Sequence, residues 1–307
     1  MGARLAQAIA AEADVPAERT AFAQRFSIEA TRPGASEIAT LATTLPPGTQ
    51  VYLSAVPRLD AAELVAAAVR IRKAGLEPVA HIAARRIVSA NHLSELLKGL
   101  TGEADMRRLL VIGGDVEASG SFSDALAVIQ KGALRAAGIE EIGIAAYPEG
   151  HNHIAPGRLE AALDEKTASA TAQGLKVHIV SQFSFSPDQV LVWLRQLRAC
   201  GIATPVKIGL AGPASVPALL RYAKRCGVTA SLRGLVSGAA AGLIGQIVGN
   251  VGPGGMIDAL AAADQNDQQL GDIAPHYFSF GGVVETAAYA CEAARGTLGA
   301  TRAMANL

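Results

Sequence analysis

Glu29, in the stretch Phe26-Ser27-Ile28-Glu29-Ala30-Thr31-Arg32-Pro33-Gly34, is the first residue placed to do proton chemistry. A short apolar run delivers a carboxylate to its C-terminal end, and Pro33-Gly34 then stops the strand. A carboxylate in that place is either solvated at a turn or held in a cleft as a general acid or base. Asp115 follows Gly113-Gly114, which lets backbone approach a ligand closely, although an Asp there can equally cap its own loop. Tyr147-Pro148-Glu149-Gly150-His151-Asn152-His153 combines a flat aromatic with two imidazoles and a turn. Its His-x-His spacing has no acidic or imidazole partner cluster nearby in sequence, so no metal is expected. Gln182 is an uncharged donor and acceptor suited to heterocycle edges, or a satisfied rim amide. Ser54, His81, Lys207 and His276 complete the polar residues that fall at or in strand-like runs.

The elements that must position these residues alternate from one end of the chain to the other. Strands are expected over 22–29, 51–55, 78–82, 108–112, 141–146, 176–181, 205–210 and 276–280. Helices are expected over 35–43, 60–73, 89–100, 123–136, 156–172, 187–199, 216–225 and 283–296, with Asp60 as an N-cap and Pro187 in a first turn. Eight strand–helix units predict one (β/α)8 TIM barrel over 1–307, with a leading helix in 1–20 and additional helical material in 232–263. A doubly wound sheet is the competitor, but the glycine-rich dinucleotide fingerprint is missing after the first strand. In a barrel the strand tips carry the site, and that rule makes the short list above worth pursuing.

Composition narrows the partners. With 307 residues, half of them apolar, and 27 basic against 27 acidic side chains, no global field favours nucleic acid or an anionic membrane. Three cysteines without metal-ligand spacing fit a reducing cytoplasm. Residues 1–13 lack the apolar core of a signal peptide, and glycine and amides interrupt the run from Gly234 to Gly254, so a soluble protein is expected. The Gly238 to Gly249 stretch is a candidate for close packing within or between subunits, which leaves a homo-oligomer open.

Several of these residues resemble the methylenetetrahydrofolate reductase family of flavin-dependent barrels, from Phe26 to about Gly299. Ala145-Ala146-Tyr147-Pro148-Glu149-Gly150-His151 is similar to the family's Ala-Ala-Tyr-Pro-Glu-x-His, and Ser181-Gln182-Phe183-Ser184-Phe185 to its Thr-Gln-Phe-Phe-Phe. Gly114-Asp115 stands where the family has Arg-Gly-Asp, and His276-Tyr277-Phe278-Ser279 looks like its His-Phe-Tyr-Thr. The resemblance implies reduction of 5,10-methylenetetrahydrofolate to 5-methyltetrahydrofolate with NAD(P)H, or the reverse, using FAD. It places the acid on Glu29, a charge-stabilising aspartate on Asp115 and a folate-binding amide on Gln182. Flavin contacts would fall on Ser54, His81, Gly114, Asp115, Tyr147 and His151.

Three departures accompany the likeness. Gly113 replaces an arginine and Ala170 lies near a lysine of the family, which leaves Arg85, Arg86, Arg158 or Lys166 to meet the cofactor phosphates. The stacking aromatic near the seventh strand is replaced around Val216. Two rival readings are a Schiff-base aldolase using Lys207 and a non-catalytic flavin or pterin binder.

Overall fold

Parallel strands buried on both faces need apolar residues outward, under the helices, and space-filling residues inward. The computed structural model describes residues 17–55, 60–228 and 250–298 and meets that requirement with eight strands closed into a ring. The barrel strands are β1 (Ser27–Ala30), β2 (Gln50–Leu53), β3 (Glu77–Ala83), β4 (Arg108–Ile112), β5 (Glu141–Ala146), β6 (Lys176–Ser181), β7 (Val206–Ala211) and β10 (Ile273–Phe278). All neighbours run parallel, and β10 closes on β1 through Ser27↔His276 and Ile28↔Tyr277. The expected (β/α)8 barrel is the observed fold.

Eleven helices are described: α1 (Ala17–Gln24), α2 (Ala35–Thr44), α3 (Ala61–Lys73), α4 (Ala90–Gly102), α5 (Ala125–Gln130), α6 (Ala133–Ala136), α7 (Pro156–Ala172), α8 (Pro187–Ala199), α9 (Val216–Cys226), α10 (Gly254–Asn266) and α11 (Val283–Arg295). Asp60 caps α3 by accepting from Glu63 N, as its position before an amphipathic run implies. Phe22 to Gln24 belong to α1 rather than to the first strand, because Phe22 and Ala23 are buried where α1 packs on α10 and α11. The helix expected over 123–136 breaks into α5 and α6 at Gly132, whose φ of 74° no continuous helix allows. The leading helix expected in 1–20 lies outside the described residues except for the start of α1.

The larger correction concerns the seventh unit. The helix that packs beside the barrel between β7 and β10 is α10, against α1 and α8. Helix α9, read from the sequence as that return helix, instead packs Ala218, Leu219 and Ala223 on Phe183 and Ala211, with Tyr222 and Phe280 alongside. These partners follow or end β6, β7 and β10, so α9 lies over the C-terminal mouth. A two-stranded antiparallel pair, β8 (Ala214–Ser215) with β9 (Asn250–Val251), fixes its base. Of the helical material expected in 232–263, residues 232–249 lie outside the described residues and the remainder falls mainly in α10.

Inside the ring the side chains form tiers at period two. Glu77, Arg108, Glu141 and Lys207 open β3, β4, β5 and β7 at the N-terminal face, and Tyr52, Val79, Leu110 and Val180 fill the middle. Ser27, Glu29, Ser54, His81 and His276 meet above them. The middle tier depends on Gly143, since a Cβ there would lie 2.7 Å from His178 Nε2 and 2.9 Å from Leu110 Cδ1.

Gly143→Ala should therefore lower stability by roughly 1–3 kcal/mol, the usual cost of overpacking a fixed core. Urea denaturation checks this, and an unchanged midpoint contradicts it. At the N-terminal face, contact with His178, joined by Arg108, draws the Glu141 carboxyl from 4.5 to about 2 against the cost of burial. A depressed folded-state value means that stability from this group is complete above about 4.5 and is lost as the pH falls towards about 2. Glu141→Gln should flatten the pH dependence of the urea midpoint across that window; an equally steep dependence would rule the contribution out.

Candidate functional site

Glu29 is held at the tip of β1 by groups from three other strands. The Ser54 hydroxyl, just past β2, donates to Glu29 Oε1 at 2.5 Å and lies 3.2 Å from Thr31 Oγ1. His276 Nε2 of β10 lies 3.6 Å from Glu29 Oε2, and His81 Nε2 of β3 lies 4.0 Å from the same oxygen. His276 is itself fixed through Nδ1, 2.9 Å from Ser27 Oγ. The carboxylate side chain is 14 % exposed, and the two imidazoles 7 % or less. Both Nε2 atoms are buried without a hydrogen bond, too far from Glu29 to bond it directly. One carboxylate oxygen thus faces two ring nitrogens without bonding either.

Burial works against a charge on Glu29, but His81, His276 and the Ser54 hydroxyl outweigh it and hold the carboxyl below its ordinary value. Burial, only partly offset by Glu29, holds both histidines below the usual imidazole range. Glu29 therefore rests as a carboxylate. These partners counter the desolvation that would otherwise favour the protonated acid. A proton taken up by the cluster is held among three groups.

The other expected site residues divide by place. Tyr147 is largely buried, packs edge-on to His151 at 4.9 Å, and has its phenol pushed up by that burial. Gly114 has φ 96°, a conformation that favours glycine, and a Cβ there would meet Ala83 at 3.4 Å. Asp115 turns outward, 56 % exposed, to Arg86 at 2.7 Å and Arg225 at 3.1 Å. Those cations outweigh its slight burial and hold it below the usual range. Gln182 accepts from Phe183 N at 3.1 Å through Oε1, at the tip of β6. Lys207 enters near the start of β7, among Glu141, Asp272 and Arg108, far from the strand tips, which removes the structural basis of an aldolase lysine.

The cations expected to meet cofactor phosphates have other tasks. Arg85 donates to Ser123 O and Gly114 O, Arg86 pairs with Asp115, and Arg158 pairs with Glu165. Lys166 is buried and reaches Ala145 O. Ala170 is fully buried in the last turn of α7 and says nothing about a phosphate at the mouth. Gly113 has open space around it, so its small size is not a steric demand.

Sequence reasoning missed what α9 does at the mouth. Arg225 holds Asp115, Cys226 is close enough to feel the charge of Glu29 and to influence Tyr147, and a Cβ on Gly227 would collide with Asn152. Tyr222 stacks on Phe280 at 4.2 Å, which puts an aromatic pair beside the mouth in the helix that begins at Val216, where the family's stacking aromatic is replaced. The available signal was the apolar face Ala218, Leu219, Tyr222 and Ala223. Of the residues that the resemblance assigns to FAD, Asp115 is held by Arg225 of α9, Tyr147 and His151 pack on each other, and Ser54 and His81 face Glu29. Among the described residues, no cluster of His, Cys, Asp or Glu has the geometry to hold a metal ion, and no helix is long and apolar enough to cross a membrane.

A closed parallel ring with its polar cluster at the strand tips defines a (β/α)8 barrel of the kind that places ligands at its C-terminal mouth. No family model matches the sequence. An uncharacterised protein from Clostridium thermocellum that binds two copies of 5-methyl-5,6,7,8-tetrahydrofolic acid superposes with a TM-score of 0.55, at 11% identity, over 88% of this chain and 93% of that one. Dihydropteroate synthase from Thermus thermophilus gives 0.48 at 13% identity over 91% and 93%. The Xanthomonas albilineans dihydropteroate synthase in complex with 7,8-dihydropteroate gives 0.45 at 12% over 90% and 94%.

The Arg225–Asp115 pair is exposed, 65 % and 56 %, and should contribute no more than ~1 kcal/mol to global stability. Its effect is local. Arg225→Ala should leave the melting temperature nearly unchanged while Cys226 reacts several-fold faster with a thiol reagent, the exposed Cys200 serving as the internal standard. An unaltered Cys226 rate would show that the pair does not hold α9 down.

Proposed function

We propose that the mouth of this barrel binds a tetrahydrofolate and that the chain is a folate-dependent oxidoreductase interconverting 5,10-methylene- and 5-methyltetrahydrofolate with NAD(P)H. The observation that carries the proposal is the Glu29 cluster, a buried carboxylate with two unbonded imidazole nitrogens at the tips of β1, β3 and β10. Opening the five-membered ring of methylenetetrahydrofolate requires a proton on one ring nitrogen, which leaves an iminium at the methylene carbon. A pterin seated over the cluster excludes solvent, and Glu29 Oε2 then receives the cluster proton and passes it to that nitrogen. General-acid help of this kind is worth roughly 10²–10⁴-fold. Gln182, with Oε1 bonded to Phe183 N, offers its amide nitrogen to a pterin edge. Hydride arrives from the reduced nicotinamide, and the protein's share is to orient both partners.

FAD, which the resemblance implies, would supply a relay for that hydride once α9 left Asp115; no step above passes through it. The bound 5-methyltetrahydrofolate of the Clostridium thermocellum neighbour supports a folate as ligand. It also favours a second reading, a pterin binder without turnover. Glu29→Gln separates the two. The variant should bind 5-methyltetrahydrofolate like the parent but reduce methylenetetrahydrofolate, with NADH or NADPH supplied, at least ~10²-fold more slowly. Equal turnover by parent and variant would remove Glu29 as the acid, and no turnover by the parent, with or without added FAD, would favour the binder.

A further inference from the structure

Below the cluster the barrel holds a second carboxylate–imidazole pair that the proposed reaction does not use. Tyr52 and His178 are 0 % and 3 % exposed in a core where apolar side chains are the rule. The Tyr52 hydroxyl lies 2.8 Å from His178 Nε2, and His178 Nδ1 lies 2.8 Å from Glu141 Oε1. Glu141 accepts from Arg108 Nε at 2.8 Å, beside a cavity of about 190 Å³ at the N-terminal face that Arg72, Glu77 and Lys176 also line. On its upper side the Tyr52 ring packs edge-on to His276 at 4.7 Å and to His81 at 6.2 Å. One tyrosine therefore separates the lower pair, Glu141 with His178, from the upper cluster of Glu29 with His81 and His276.

The distances favour one direction for the lower chain. Burial, together with Glu141 and Glu29, pushes the Tyr52 phenol well above its usual range, so the hydroxyl keeps its proton. Its nearest acceptor is His178 Nε2, closer than Gln50 Oε1 at 3.3 Å. An imidazole that accepts at Nε2 carries its own proton on Nδ1, which is the atom facing Glu141. The phenol donor then points down the barrel and the negative side of its oxygen faces away from Glu141, while His178 Nδ1 meets Glu141 at ion-pair distance without an aligned hydrogen bond. Gly143 leaves the space His178 occupies.

We propose that Glu141, His178 and Tyr52 form a positioning relay through which the charge at the N-terminal face governs how readily the Glu29–His81–His276 cluster takes up a proton. The groups around the relay come from every adjoining strand and from the mouth. Glu29 of β1, Glu77 and His81 of β3, Arg108 of β4 and Lys207 of β7 face the relay, and Cys226 at the end of α9 faces Glu29 above it. Lys207 and His81 oppose protonation of His276, and Glu29 favours it. Removing either the Glu141 charge or the Tyr52 oxygen dipole takes negative potential from beneath the cluster.

The test is nitrogen NMR of all six histidine rings in the full chain across the pH range, with Glu141→Gln and Tyr52→Phe beside the parent. The parent should show His178 as the Nδ1–H tautomer. In both variants the protonation step of His276 or His81 should move to lower pH by roughly half a unit, while the exposed His153 stays in place. A purely structural role would lower stability and leave those steps unmoved. Unmoved His81 and His276 in folded Glu141→Gln protein, or His178 protonated on Nε2 in the parent, would overturn the relay. Glu141 lies at the open end of the barrel, so that variant gives the answer even if Tyr52→Phe does not fold. No folate or nicotinamide is needed, which keeps the outcome separate from the catalytic reading.

Discussion

Burying the Glu29 carboxylate is the constraint around which the upper half of this barrel is arranged. A charge removed from water is costly unless close donors surround it. Here Ser54 and the rings of His81 and His276 come from past β2, from β3 and from β10, and Ser27 of β1 holds the His276 ring in place. No short segment supplies such a set. The ring must close, with β10 against β1, before His276 can face Glu29. Closure of the fold and assembly of the site are in that sense one event.

The second constraint is the chain's own helix across the opening. Because α10 takes the outer position between β7 and β10, α9 is free to lie on the strand tips, where its apolar face covers Phe183 and Ala211. Its cationic end reaches Asp115 on the opposite side of the mouth. Access to Glu29 and the seating of α9 are therefore linked. The aspartate that could face a ligand is the one the helix holds.

Much of this was legible in the sequence, and the reasons are specific. β4, β5 and β6 stand where the sequence placed them, because Gly113, Gly138 and Gly174 punctuate strongly apolar runs. Glu29 stands near the end of β1, where the strand-end rule expected it. The partners of Glu29 could be named as strand-end residues but not joined to it, since pairing across the barrel seam is a three-dimensional fact. Phe22 misled because a buried aromatic serves a helix face as well as a strand. Helix α9 misled because an amphipathic period reports that one face is covered and not by what. The resting charge of Glu29 was out of reach, as it depends on imidazoles more than fifty residues away in sequence.

The most direct test of the account is equilibrium binding of 5-methyltetrahydrofolate to the full chain, followed by the rate at which a thiol reagent reaches Cys226 in the same samples. Saturable binding that slows Cys226 modification, with Cys200 unaffected, is the predicted result, because a folate placed over Glu29 would lie near Cys226 in the last turn of α9. Absence of saturable binding, or binding that leaves Cys226 as reactive as before, would contradict the placement of a folate at this mouth.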